Sequence, residues 1–266
     1  MKNSSIVQGA LLALLAAVLF GASAPLVQKA GTHIGSWMTA ALLYAGAAIA
    51  GWLLRSTTAQ EAALQRQHWP RLLLMAFFGA VIGPAALAWG LQHTSGMSAS
   101  LMLALEAVFT VALSSLFYRE QIDRRIGLAI LLLTSGGFLL VLDSTESGTP
   151  QVMGLLAVMG ATMAWGIDNT LSRALADIDP GRVVLGKAVL GAVCSFLIAM
   201  ATGPSTFPWL DGFGLFLIGA TGYGLFPPLE GRRLKGAERK LAHAERALHD
   251  LGAFGAAAGS DVSCAA

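Results

Sequence analysis

The composition of the chain changes abruptly near residue 226. From Ile6 to Phe226 the sequence is an almost unbroken series of apolar segments, each about 20 residues long. From Glu230 to Asp250, ten of twenty-one residues are Asp, Glu, Lys or Arg. A transmembrane helix needs about 20 apolar residues to cross a hydrocarbon layer of about 30 Å. We therefore expect the first part of the chain to lie in a membrane and the charged tail to lie outside it.

The apolar segments predict an all-α polytopic membrane protein. Charged residues make up only 12% of the chain and apolar residues 55%, a balance that a soluble domain could not cover with polar surface. Glycine and proline inside several segments are compatible with membrane helices. Eight spans are predicted: Ile6–Leu26, Ile34–Leu54, Leu72–Gln92, Met97–Phe117, Ile126–Leu142, Val152–Ser172, Arg182–Thr202 and Phe207–Phe226.

Basic residues alternate between the two sides of this predicted arrangement. The second, fourth and sixth loops and the tail carry the arginines, whereas the odd-numbered loops carry only Lys29. Positive charge is retained on the cytoplasmic side. We therefore expect a multi-pass protein of the inner (plasma) membrane. Both termini would lie in the cytoplasm, and the spans would contact the lipid bilayer.

The first and sixth spans resemble each other when the sequence is shifted by 145 residues. Gly9 then falls on Gly154 and Gly21 on Gly166. The third and eighth spans resemble each other at an offset of 140, where Phe78-Gly79-Ala80 meets Ile218-Gly219-Ala220. Five helices separate the copies, so the second copy would be inverted in the membrane. Inverted repeats are typical of secondary transporters, which bind solute near the midplane between the two halves.

Several short motifs make the sequence similar to the EamA family of the drug/metabolite transporter superfamily, over about residues 7–224. Residues 105–142 carry the clearest likeness, and a second set lies in the sixth and seventh spans. The motifs are LEAVFT (Leu105–Thr110, with Ala107 where Pro is common), Arg119-Glu120, the glycine-containing IGLAILLLTSGGFLLV, WGIDNTLSR (Trp165–Arg173) and Gly186-Lys187.

The resemblance implies two five-helix repeats and carriage of small metabolites or drug-like solutes. Residues 1–142 would form the first repeat, residues 152–226 an incomplete second repeat, and residues 227–266 a cytoplasmic charged tail. Relative to the ten helices of the family, the ninth and tenth are absent, so we expect a chain that is truncated or frameshifted after about residue 225. Its tail would then be non-native. Loss of two helices would inactivate transport or leave a surface that a homodimer would cover.

Glu106 is the ionisable residue placed nearest the centre of a predicted span. Thr110 follows it at i+4 and lies on the same helical face. Ionisable groups inside a membrane usually face protein or water, so a cavity group that binds a proton or contacts a cationic solute is one interpretation. A structural Glu that bonds to the backbone of a neighbouring helix is the alternative.

Asp168 and Lys187 are expected at similar depth in a hairpin of the sixth and seventh spans. A structural salt bridge between them is one interpretation, and a solute- or proton-coupling pair is the other. Trp165, Asp168 and Asn169 share one face of the sixth span by their i, i+3 and i+4 spacing. If that face is central, it would contact the solute.

The remaining signals bound the function. Pro25 and Pro84 are predicted helix kinks. The chain has no GxxxxGK[ST] loop, HExxH motif or GxSxG elbow. We therefore expect no catalytic residues, no metal, no cofactor and no nucleic acid partner. A membrane-bound enzyme and a membrane-embedded assembly or interaction protein without transport activity remain the alternatives to a transporter of a small-molecule solute.

Overall fold

The computed structural model describes Val18 and residues 23–53, 64–146, 148–175, 178–203 and 208–225. All of these residues lie within one structural unit, Ala16–Pro228. The predicted charged tail and most of the first predicted span fall outside the described residues.

The described ranges form eight helices, which follow one another through short connections. They are α1 (residues 23–31), α2 (Ser36–Leu53), α3 (Arg66–His93), α4 (Gly96–Tyr118), α5 (Arg124–Glu146), α6 (Thr149–Ser172), α7 (Pro180–Thr202) and α8 (Trp209–Ile218, continuing as Gly219–Leu225).

The helices agree with the predicted spans in order and type. Counting only described residues, α2 to α7 are each long and apolar enough to cross a membrane, so the predicted polytopic all-α fold is confirmed. Three boundaries differ from the predicted ones by four residues or more. α1 continues to residue 31 rather than ending at Leu26, and α3 begins at Arg66 rather than Leu72. α5 continues to Glu146 rather than ending at Leu142. Pro70 lies in the first turn of the α-helical part of α3, where its missing N–H costs nothing.

Polar side chains mark the starts of two helices. The Ser95 hydroxyl accepts a hydrogen bond from the Ser98 N–H at 3.1 Å at the start of α4. Asp179 Oδ1 accepts one from the Gly181 N–H at 2.8 Å at the start of α7. Each cap satisfies a backbone donor that has no partner inside the helix. These caps fix where two helices leave the connecting segments.

The interior of the bundle is built around α2. This helix packs against α7 along its length, and also against α8 and α3. α6 packs against α3 on one side and against α4 on the other. Leu43, Leu91, Leu155 and Leu215 are fully buried members of the same core. α6 therefore stands between α4 and the rest of the bundle.

α5 lies at the edge of the described bundle. It touches α4 and α6, and Gly137 is the one residue buried among those of this helix whose burial is described. Large apolar side chains such as Leu131 and Phe138 are more than 60% exposed. In a bilayer such surface faces lipid tails, which are as apolar as leucine, so it carries no burial penalty.

Glycines allow the central helices to approach closely. A Cβ added at Gly46 of α2 would lie 2.0 Å from the Phe216 carbonyl oxygen and 2.7 Å from the Ala220 nitrogen of α8. A Cβ added at Gly191 of α7 would lie 2.5 Å from the Ala80 Cβ of α3. Small residues at such contacts let helix backbones pack directly in membranes.

We expect Gly46→Ala to destabilise the fold by about 1–3 kcal/mol, because the new methyl group meets backbone atoms that no side-chain rotation can move. The measurement is the thermal unfolding midpoint of the purified protein in detergent. Gly160→Ala, in α6, is the matched control, because no atom lies within 4 Å of its added Cβ. Removing glycine from an open helical position is expected to stabilise by about 0.5–1 kcal/mol. Equal midpoints for the two variants would contradict the packing described.

Candidate functional site

A trio of polar side chains links α4 to α6. Glu106 and Thr110 stand one turn apart on α4 and are both half-buried. The Asn169 amide of α6 donates a hydrogen bond to Glu106 Oε1 at 2.9 Å and a longer one to Thr110 Oγ1 at 3.4 Å. The structure thus brings together three residues that sequence reasoning had placed on two separate stripes. We call Glu106, Thr110 and Asn169 the polar trio.

The polar trio lines an open cavity of about 470 Å³. This volume is within the range of small-molecule sites. Among the described residues, the remaining lining is apolar and Glu106 is the one ionisable side chain. The wall consists of Leu103, Ala104, Glu106, Ala107, Thr110 and Val111 of α4, with Asn169 of α6. The cavity therefore combines an apolar wall with one cluster of polar side chains, the polar trio.

A second group lies on a neighbouring face of α6, because Asp168 and Asn169 are consecutive residues about 100° apart around the helix. The predicted salt bridge between Lys187 Nζ and Asp168 Oδ2 is confirmed. Asp168 is 5% exposed, and among the described residues its other oxygen, Oδ1, is buried without a hydrogen-bond donor. The prediction of a simple α6–α7 hairpin needs correction, because the middle of α3 packs against both helices at this level.

Gly79 of α3 makes room for the ion pair. A Cβ added there would lie 2.4 Å from the Asp168 Cγ, so only glycine lets the carboxylate rest on the α3 backbone. One turn along, a Cβ at Gly83 would lie 2.6 Å from the Trp165 Nε1. The pair Gly79 and Gly83 therefore forms the close helix contact between α3 and α6.

The Gly79 carbonyl accepts hydrogen bonds from two other helices. The Tyr44 hydroxyl of α2 donates to it at 2.6 Å and the Trp165 indole N–H of α6 at 3.0 Å. Residues Ala76–Ile82 are π-helical, and the Gly83 N–H bonds to the Phe78 carbonyl five residues earlier. In this register the next donor, to the Gly79 carbonyl, would come from Pro84, which has no N–H. The proline thus frees the carbonyl that the two side chains satisfy.

We call Tyr44, Gly79, Trp165, Asp168 and Lys187 the buried node. It joins α2, α3, α6 and α7 through one carbonyl and one ion pair. In a membrane, every buried backbone polar group needs a protein partner because no water is present. The buried node meets this requirement at the point where the α3 helix changes register.

The C-terminal end of α4 makes a further set of contacts with α6. The Tyr118 hydroxyl donates to the Thr170 carbonyl oxygen at 3.0 Å. Arg173 pairs with Glu120 and its guanidinium lies 4.8 Å from the centre of the Tyr118 ring. The side chains of Tyr118, Glu120 and Arg173 are half-exposed, whereas Thr170 is buried. We call Tyr118, Glu120, Thr170 and Arg173 the α4–α6 clasp.

The predicted site residues therefore fall into two groups and one outlier. Glu106, Thr110 and Asn169 line the cavity, whereas Trp165, Asp168 and Lys187 belong to the buried node. The predicted single stripe on α6 is thus divided between two faces. Pro84 lies beside the node, and Pro25 is exposed on α1, away from both groups. Roles for these residues in solute or proton binding remain predictions.

Sequence reasoning missed Tyr44, Gly79 as an acceptor, and the contacts of Tyr118. Tyr44 and Tyr118 are two of only three tyrosines in the chain. A tyrosine inside an apolar span carries a hydroxyl that needs a hydrogen-bond partner. This requirement could have identified both tyrosines as residues that bond to another helix. Nothing in the sequence indicates which carbonyl would receive it.

Comparison with known proteins gives a consistent result for the first half of the chain. Residues 7–142 match the EamA-like transporter family. An uncharacterized transporter of Methanothermobacter thermautotrophicus is 30% identical over 171 residues, which cover 60% of this chain and 50% of that protein. The chain therefore spans about half the length of this curated relative.

Two further matches differ in kind. A solved crystal structure resembles the fold with a TM-score of 0.60 at 21% identity, covering 87% of this chain and 83% of that one. A 29-residue segment, 11% of this chain, is 76% identical to 6% of the methylenetetrahydrofolate--tRNA-(uracil-5-)-methyltransferase TrmFO of Syntrophotalea carbinolica. The first match supports the fold, and the second concerns only a short segment.

We expect Lys187→Met to destabilise the protein by about 3 kcal/mol or more, because it leaves the buried Asp168 carboxylate without its ammonium partner. The double variant Asp168→Asn with Lys187→Met removes both charges and is expected to recover most of this loss. Thermal unfolding midpoints of the wild type, both single variants and the double variant complete the cycle. Additive losses would show that the two charges are not coupled.

Proposed function

Because the chain belongs to the EamA-like transporter family, we propose that it carries a small organic solute across the membrane and binds it between α4 and α6. The resemblance carried by LEAVFT and the neighbouring motifs is confirmed by the family match. The observation that most supports a solute site here is the polar trio, which lines a cavity between two helices capable of spanning a membrane. A carboxylate near the centre of a membrane span costs about 2.5–3.5 kcal/mol to insert, so its presence there favours a functional role.

The two faces of α6 support an alternating-access mechanism. One face is held to α3 and α7 by the buried node, which is costly to break. The other face meets α4 through the half-buried polar trio and through the α4–α6 clasp, whose half-exposed ion pair is worth about 1 kcal/mol or less. In this proposal α4 moves against α6 while the buried node stays intact, which opens the cavity to one side at a time.

Reciprocal glycine contacts support the proposed inverted repeat. Gly46 of α2 meets Ala220 of α8, and Gly191 of α7 meets Ala80 of α3. The sequence offset of 145 aligns Gly46 with Gly191, and the offset of 140 aligns Ala80 with Ala220. Equivalent residues thus make equivalent contacts, as expected for repeats covering residues 1–142 and 152–226. Rocking of one half against the other is the usual motion of such proteins.

The proposed orientation follows from the basic loops. Arginines in the connections after α2, α4 and α6 would lie in the cytoplasm, together with both chain termini. The α4–α6 clasp would then close the cavity on the cytoplasmic side. Glu106 lies twelve residues from Tyr118, which is about 18 Å along α4, so the clasp is well separated from the site that it would close.

We further propose that the charged segment 227–266 does not belong to the transporter fold. A tRNA-modifying enzyme shares no membrane spans with a transporter, so the 29-residue match at 76% identity fits a polar segment better than an apolar one. The segment beginning at Glu230 is the charged stretch of the sequence that is long enough. Transport unchanged by deletion of residues 229–266 would support this proposal, and loss of folding on deletion would contradict it.

The transport activity is tested in proteoliposomes with a mixture of solutes, so that no single solute has to be chosen. Vesicles containing the purified chain are incubated with an extract of small metabolites, and mass spectrometry identifies any solute that accumulates. We expect at least one solute to enter, and Glu106→Gln to reduce its entry about tenfold or more, because a charged hydrogen-bonding partner is lost.

The matched control for this experiment is Asp143→Asn, because Asp143 is an exposed carboxylate near the end of α5 and outside the cavity. It should transport like the wild type. If no solute enters with the wild type, or if Glu106→Gln and Asp143→Asn behave alike, the proposed site is wrong. Activity on a membrane substrate without any transport would instead favour a membrane-bound enzyme.

Weakening the α4–α6 clasp is expected to expose the cavity. Arg173→Gln removes the ion pair with Glu120 and the contact with the Tyr118 ring. In a variant whose cysteines are changed to serine, Thr110→Cys reports access to the cavity through its reaction with a membrane-impermeant maleimide. We expect Arg173→Gln to speed this labelling severalfold from the cytoplasmic side only. Faster labelling from the opposite side would refute the assigned position of the clasp.

A further inference from the structure

The polar trio presents more hydrogen-bond acceptors than donors to the cavity. The Asn169 amide has two N–H groups, and its nitrogen lies within hydrogen-bond distance of both Glu106 Oε1 and Thr110 Oγ1. Its donors are therefore directed at the trio itself. Glu106 Oε2 and Asn169 Oδ1 remain as acceptors, and no described residue donates a hydrogen bond to either. The Thr110 hydroxyl remains as one donor, because it only accepts from Asn169. The orientation of the Asn169 amide is fixed by its neighbour, because the flipped amide would bring Oδ1 against the carboxylate.

Glu106 places a carboxylate in the cavity, and the described basic residues around α6 are paired with other carboxylates. Among the described residues, Glu106 is the one ionisable group in the lining. Lys187 of α7 is paired with Asp168 in the buried node. Arg173, at the end of α6, is paired with Glu120 in the clasp. Lys187 and Arg173 therefore each form an ion pair with a carboxylate other than Glu106.

From these two features we propose that the solute is an organic ammonium ion with a small apolar body. This inference rests on the proposed function and specifies its substrate class. The ammonium N–H groups would donate to Glu106 Oε2 and Asn169 Oδ1, and the apolar body would lie along Ala104, Ala107 and Val111. A carboxylate solute would instead meet the Glu106 charge and find acceptors where it needs donors. A neutral alcohol would satisfy one acceptor and leave the charge unbalanced.

Three probes of one shape separate these possibilities. Benzylamine, benzyl alcohol and benzoate share a ring and differ in the head group, as cation, neutral and anion at pH 7. Binding of each to the purified full chain in lipid nanodiscs is measured by isothermal titration calorimetry, with empty nanodiscs as the blank. We expect benzylamine to bind with an affinity about tenfold or more above that of the other two probes.

Two variants identify the cavity as the place of binding. Glu106→Gln keeps the size of the side chain and an oxygen that can accept from Asn169, and it should reduce benzylamine affinity about tenfold or more. Ala107→Phe keeps every charge and fills the apolar wall, so it should also remove binding. Asp143→Asn should leave the affinity unchanged. Thermal unfolding midpoints of all variants in the same nanodiscs verify that they are folded.

The inference is overturned if benzoate or benzyl alcohol binds as tightly as benzylamine, if no probe binds, or if Glu106→Gln binds benzylamine like the wild type. Uptake of the same probes by proteoliposomes distinguishes a wrong substrate class from a wrong proposal of transport. Selective benzylamine binding without uptake would support the substrate class and contradict transport. Uptake of benzoate but not benzylamine would support transport and overturn the substrate class.

Discussion

Two hydrogen bonds to the Gly79 carbonyl connect three helices at the centre of the bundle. Inside a membrane a free carbonyl has no water to bond, so its partners must come from the protein. Pro84 removes the backbone donor, and Tyr44 and Trp165 supply replacements from α2 and α6. Because position 79 has no side chain, the Asp168 carboxylate can lie on the same backbone and bind Lys187 of α7. Four helices are thereby fixed relative to one another.

In the proposed mechanism, α6 has a fixed face and an adaptable face. On the fixed face, small residues and buried polar bonds bring α6 against α3. On the adaptable face, the half-buried polar trio and the half-exposed clasp meet α4 around the open cavity. The buried Asp168–Lys187 pair costs more free energy to separate than the more exposed Glu120–Arg173 pair. This difference locates the proposed movement at the α4–α6 interface and leaves the centre of the bundle unchanged.

The sequence predicted the spans and the local groupings, because these depend on apolar length and helical periodicity alone. The Asp168–Lys187 bridge was also predictable, since both residues had to lie at one depth. Sequence reasoning could not separate Asn169 from Trp165 and Asp168, because three residues within one turn can face two different neighbours. It also could not place α3 between α6 and α7, because consecutive helices give no information about a third helix that packs against both. The link between Pro84 and the Gly79 carbonyl needed the π-helical register, which no pattern in the sequence indicates.

We propose that α4 moves against α6 while the buried node holds α3 to α6. Pulsed electron paramagnetic resonance on two spin-labelled pairs in lipid nanodiscs tests this movement. With the native cysteines replaced, a label at Ala174 is paired with one at Leu116 of α4 or with one at Leu73 of α3, all exposed positions. We predict two distances for the α4 pair, whose proportions shift when a transported solute is added, and one unchanged distance for the α3 pair. A single, unchanging distance for the α4 pair, or equal changes in both pairs, would contradict the claim.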